Sequence, residues 1–112
     1  MIQNQLTPDQ VKALENAHES GVYGKIDIVL VRGEGARLWD AEGNEYIDCM
    51  SGHGVANIGH ANPAIAQAIA EQAQQLITCH SALYNEQRAL LMQKLAAIVP
   101  PGLDRFFFCI GM

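Results

Sequence analysis

The side chains able to do chemistry in this sequence are few and scattered. Cys49 and His53 stand four apart, Cys79 and His80 are adjacent, and Cys109 lies alone near the end. Adjacent side chains rarely converge on one ion, and no second pair completes a structural zinc pattern, so no metal site is expected. The three cysteines are expected to be small buried hydrophobes. A nucleophilic Cys79 would need an oriented base, and nothing local supplies one.

Two glycine-rich stretches could cradle phosphate. "GEGARL" has Gly33 and Gly35 at the first spacing of a dinucleotide loop, but Leu38 sits where the third glycine belongs. "GHGVANIG" fails in the same way at Asn57. Neither opens a helix directly after a strand, as that chemistry requires. In "GHANP", Gly59 permits a tight turn, His60 can bond the loop backbone, and Asn62-Pro63 can start a helix. In "HSALYN", Tyr84 stands among polar residues and reads equally as a lid over a pocket or as a packing anchor.

The elements that must position these residues follow from periodicity and punctuation. Thr7, Pro8 and Gln10 make a capping box with proline at the first helical position, and Val11, Leu14 and Ala17 share one stripe. Gly21 and Gly24 end that helix. "KIDIVLVRGEG" predicts a strand through Ile26, Ile28 and Leu30. "ARLWDAEGNEYIDCM" predicts a hairpin whose turn uses Gly43 at positive φ. "SGHGVANIGHANPAI" reads as a Gly-rich loop. Beyond it, Ile65, Ile69, Ala73 and Leu76 form an amphipathic stripe, and Asn85 caps a further helix carrying Leu91, Leu95 and Ile98. "PPG" stops that helix. The apolar run Phe106, Phe107, Phe108, Cys109 then predicts a strand buried on both faces, as in a parallel sheet, although no second parallel strand is visible.

Composition bounds the partners. The chain has 112 residues, 49% hydrophobic and 17% charged, against about 25% charged in typical soluble domains. The chain is then either an Ala-rich, Gln-rich compact domain or one with part of its surface meant to be covered by more protein. The net charge is −5 with no block of Lys or Arg, so the electrostatic footprint for nucleic acid or anionic membrane is missing. "MIQNQLTPDQ" lacks the features of a secretory signal, and no apolar stretch approaches the ~20 residues of a membrane span. An odd, widely spaced set of three cysteines predicts a reducing cytoplasm.

The combined string "VRGEGARLWDAEGNEYIDCMSGHGVANIGHANPAI" resembles the N-terminal signature of class III, acetylornithine/ornithine-type pyridoxal-phosphate aminotransferases. The parts that carry the likeness are "LWDAEGNEYID", Ser51-Gly52 and "GVANIGHANP"; "SALYNEQRALLMQKLAAIVPPGLDRFFFC" continues it, so that it covers about Val22 to Cys109. "GLDRFFFC" is most similar to the acetylornithine and the carrier-protein (LysW)-linked aminoadipate-semialdehyde enzymes of arginine and lysine synthesis.

The resemblance implies an α+β to α/β fold, the N-terminal part of a fold-type I transferase. Residues 1–78 would be a small-domain segment of helix, antiparallel hairpin sheet and helix. Residues 79–112 would open the large cofactor domain and lead into the first strand of its sheet. It implies pyridoxal phosphate as cofactor, a small amino acid as substrate and a homodimer when intact. Val55, Ser81 and Tyr84 would line the substrate entrance, and Gly111 would be the one candidate for a cofactor phosphate contact. The family's Schiff-base lysine has no counterpart here. Lys12 and Lys94 fall on helices as solvated charges, Lys25 precedes a strand, and none has a matching context, so no catalytic residue is assigned. Ile110, Gly111 and Met112 stand where the family reads Asn-Ser-Gly. A truncated copy is therefore expected (a fragment, a split gene or a shifted frame), inactive by itself. The alternative is a non-enzymatic α+β interaction module that keeps the inherited elements.

Overall fold

The computed structural model describes residues 6–109. They run as α1 (Pro8–His18), β1 (Leu30–Glu34), β2 (Arg37–Asp40), β3 (Glu45–Ile47), α2 (Ser51–Gly54), α3 (Pro63–Ala73) and α4 (Glu86–Ala96). The chain divides into two compact units between Ile69 and Ala70, inside α3. Among the described residues no helix is long and apolar enough to cross a membrane.

In the first unit the capping box of α1 forms as expected. The Gln10 amide donates to Thr7 Oγ1 at 3.3 Å, and the Thr7 amide donates to Gln10 Oε1 at 2.9 Å. The three strands pair antiparallel in the order β1-β2-β3. Gly43 takes φ +89° in the β2–β3 turn, the left-handed conformation that a side chain would oppose.

Strand β1 starts later than the sequence predicts. Its ladder begins at Leu30 opposite Asp40, where β2 ends; one further bond, from the Ala41 amide to the Val29 carbonyl at 2.9 Å, extends the pairing no farther upstream than Val29. Ile26 and Ile28 therefore lie outside the sheet. The segment before β1 is tied to α1 instead, by Lys12 to Asp27 at 2.6 Å and Lys25 to Glu15 at 2.9 Å. Lys12 is thus an ion-paired group, not the freely solvated one expected. Across the β1–β2 pair, the Arg32 guanidinium lies 3.4 Å from the centroid of the Trp39 ring.

In the second unit Asn85 caps α4, accepting from the Arg88 amide at 3.0 Å. Leu103–Cys109 form no strand and join no ladder with any described strand, so the buried strand expected over Phe106–Cys109 is not formed among the described residues. Phe107 is 90% exposed.

Among the described residues no hydrophobic side chain is buried. The helices end before the expected stripes do, leaving Leu76 beyond α3 and Ile98 beyond α4, and Ile65, Ile69, Leu76, Leu91 and Ile98 are all exposed. This corrects the expectation for the cysteines. Cys49 and Cys109 are exposed and Cys79 is half-buried, all with free thiols, because no core is present to enclose them.

Candidate functional site

The ordered polar geometry of the first unit centres on two aspartates. Asp40, 7% exposed, closes the β2–β3 turn. One carboxylate oxygen accepts from the Glu42 and Asn44 amides at 2.9 and 2.8 Å. The other accepts from the Asn44 side-chain amide at 2.9 Å and the Tyr46 hydroxyl at 2.8 Å. Four donors satisfy the carboxylate and favour its charged form. The Asn44 side chain contributes most, the Tyr46 hydroxyl and the two amides add to it, and burial opposes them. The Asp40 pKa falls to about 2. The same bond to Asp40 raises that of Tyr46.

Asp48 follows β3 and is anchored to the sheet through its amide, which donates to the Ala36 carbonyl at 2.8 Å. Its side chain is 8% exposed and pairs with His60 Nε2 at 2.5 Å. The other oxygen accepts from the Met50 and Ser51 amides at 2.9 and 2.8 Å. The bond to His60, then those to Ser51 and Met50, hold the Asp48 carboxyl below its ordinary pKa. His60 is itself fixed by the backbone, exchanging bonds of 2.8 and 3.0 Å with Gly35. Gly33 lies beneath its ring, where a Cβ would meet His60 Cβ at 2.7 Å. Glycine is required there by close approach.

Between these two anchors lies α2, which is a single turn of left-handed helix. Ser51, Gly52, His53 and Gly54 have φ of +50°, +56°, +66° and +78°. The amides of Gly54 and Val55 reach back four residues, to the Met50 carbonyl at 2.9 Å and the Ser51 carbonyl at 2.7 Å. The sequence reads this stretch only as a loop. The alternating Gly52 and Gly54 that fail as a dinucleotide motif are the two positions where positive φ comes without steric cost. Gly35, Asp48, Ser51, Ala56, Gly59 and His60 border a cleft of about 240 Å³ beside the turn.

Of the residues assigned by resemblance, Val55 ends this turn and is 79% exposed. Ser81 and Tyr84 belong to the second unit, in the segment between α3 and α4. That segment is folded by its own bonds. The Leu83 amide donates to the His80 carbonyl at 3.0 Å, the Ala82 amide to His80 Nδ1 at 3.1 Å, and the Arg88 guanidinium to the Leu83 carbonyl. Ser81 is exposed, and the Tyr84 ring, 105% exposed, is not a packing anchor within its unit. Gly111 lies outside the described residues. Sequence reasoning named His60 but missed Asp40 and Asp48. The signal for Asp40 was present, an Asp followed by a Gly-Asn turn and a Tyr. Asp48 is twelve residues from His60, and nothing local marks the pair.

The described residues do not fit pyridoxal phosphate. Lys12 and Lys25 are held by carboxylates that raise their pKa above the ordinary 10.5, the reverse of what carbonyl capture needs. Lys94 projects from the last turn of α4. No chemical step through the cofactor is assigned to this chain.

A small antiparallel sheet, with helices before and after it in the sequence, is shared with a wider class of proteins. Residues 18–111 match the family model described as Aminotransferase class-III, and the chain belongs to that family. It is 44% identical over 109 residues to the [LysW]-aminoadipate semialdehyde transaminase of Deinococcus radiodurans, covering 97% of this chain and 25% of that protein. The crystal structure of acetylornithine aminotransferase from Elizabethkingia anophelis superposes with a TM-score of 0.76 at 34% identity, covering 83% of this chain and 24% of that one. The taurine:2-oxoglutarate aminotransferase of Bifidobacterium kashiwanohense, solved in complex with PLP and glutamate, gives 0.77 at 27% identity over 87% of this chain and 22% of its own. The chain thus spans about a quarter of the length of the relatives it matches.

Proposed function

We propose that this chain is the N-terminal segment of a pyridoxal-phosphate-dependent transaminase. The intact protein would move an amino group from an amino acid donor to an aldehyde or keto acceptor in arginine- or lysine-type biosynthesis. The observation that carries the reading is the 44% identity to a named transaminase across nearly the whole chain. When bound, the cofactor supplies the electron sink for this chemistry. The residues that would hold it lie elsewhere in the intact protein, apart from Gly111. This segment would contribute the small sheet and part of the substrate entrance, with Val55 and Tyr84 shaping the pocket and Ser81 donating or accepting a hydrogen bond. Residues 1–78 would be the small-domain part and 79–112 the opening of the large domain. The intact protein would act on a small amino acid as a cytoplasmic homodimer, and the chain by itself would be inactive.

The test is made on the intact polypeptide that carries this segment. Supplied with pyridoxal phosphate, acetylornithine and a keto acid, it is expected to transfer the amino group. An intact polypeptide that takes up no cofactor and transfers no amino group from acetylornithine or from aminoadipate-type substrates would overturn the reading.

A further inference from the structure

We propose that the Asp48–His60 pair is a latch that keeps the Ser51–Gly54 turn left-handed, a state its backbone would otherwise leave. Left-handed conformation is disfavoured for residues with a Cβ, and single residues visit it far more often than runs. Here four consecutive residues adopt it, and Ser51 and His53 are not glycines. Such a state persists only where the surroundings over-determine it.

The surroundings do so through one carboxylate. Asp48 is fixed to Ala36, just before β2, by its amide, and His60 is fixed to Gly35, just beyond β1, by two backbone bonds. One Asp48 oxygen joins these two sheet-anchored points at 2.5 Å. The other receives the Met50 and Ser51 amides at the entry to the turn. The turn is therefore clamped where its first left-handed residue begins, and Val55 leaves it in a fixed direction. On the proposed function, this makes Asp48 and His60 positioning residues for Val55. The latch itself does not depend on that function.

The experiment is site-resolved hydrogen exchange on the intact polypeptide that carries this segment, without cofactor or substrate. The readout is the amides of Gly54, Val55 and Ala56, whose acceptors are Met50 and Ser51 carbonyls and not Asp48. These amides are expected to be protected in the wild type. Asp48→Ala should speed their exchange by about tenfold or more, the factor matching the conformational cost of one left-handed residue, while the β1–β2 ladder stays protected. Adding Ser51→Gly to Asp48→Ala should restore much of the protection, which a merely structural role would not produce. Three results would each overturn the latch: an unprotected turn in the wild type, acceleration confined to Met50 and Ser51, or no recovery with Ser51→Gly. If Asp48→Ala also opens the sheet, His60→Gln decides. Faster exchange in the turn beside a protected ladder supports the latch, and an unchanged turn refutes it. No activity enters this readout, so a failed latch and a failed transaminase reading are separate results.

Discussion

The lysines offer the sharpest check on how this chain stands toward a carbonyl cofactor. A lysine must be neutral to attack an aldehyde. At the ordinary pKa of 10.5, about one amine in a thousand is neutral at pH 7.5. Lysines tuned for such work have pKa values of roughly 7–8, so about a quarter to three quarters are neutral. Lys12 and Lys25 go the other way, since the hydrogen bonds to Asp27 and Glu15 raise them. Their neutral fraction is thus at least about two hundredfold below that of a tuned lysine. Incubating the chain with pyridoxal phosphate, reducing with borohydride and quantifying each lysine by peptide mass spectrometry should show sparse labelling. Lys12 and Lys25 should be the slow sites. Asp27→Asn should speed labelling of Lys12 and leave Lys25 unchanged, and Glu15→Gln should do the converse. One-to-one capture on a single lysine at limiting cofactor would refute the reasoning, as would Asp27→Asn leaving Lys12 unaffected.

Three further outcomes follow from the geometry. Asp40 has a folded pKa of about 2 against an ordinary 3.8, so its contribution to the hairpin should be complete above about pH 4 and be lost as pH falls toward 2. Exchange in the β2–β3 ladder across that window measures it, and Asp40→Asn should flatten the dependence. Tyr84→Ala should leave the melting behaviour of the chain unchanged, because a fully exposed ring has no packing to lose, whereas a buried aromatic anchor would cost about 3–5 kcal/mol; in the intact enzyme the same change should lower kcat/KM. Finally, Ile26, Ile77, Val55, Ile98 and Phe107 are all at least 78% exposed, and covering each would contribute about 1.5–3 kcal/mol. The chain should therefore self-associate with rising concentration in sedimentation, and a monodisperse monomer at high concentration would contradict this.

What was legible in the sequence was local. The Thr7–Gln10 box, the Asn62 and Asn85 caps and the Gly43 turn each join residues within four positions, so residue type and spacing specify them. The start of β1 was not legible, because the length of β2 decides which residues find partners. The stripes were placed on α3 and α4 except at Leu76 and Ile98, which lie past the helix ends, and periodicity reports which face wants cover and not whether the cover is present. The Asp48–His60 pair was hidden for the same reason as the strand boundary. The antiparallel sheet and the Gly35–His60 bridge bring the two together, and neither residue carries a local mark of the other.

The glycines show how one motif misleads in one reading and informs in another. As phosphate loops, Gly33-Gly35 and Gly52-Gly54 both lack the third glycine and the following helix. As backbone devices they are complementary. Gly33 has ordinary φ and is small because His60 rests on it, while Gly52 and Gly54 have room for a side chain but need positive φ. The first pair therefore fixes the histidine, and the second lets the chain turn left-handed where that histidine's carboxylate partner grips it. Val55 is exposed at the end of the turn. Its placement rests on sterics at Gly33, conformational freedom at Gly52 and Gly54, and one carboxylate at Asp48. None of these is a reactive group, and so reading the sequence for chemistry alone passes over the parts that hold the exposed side chain in place.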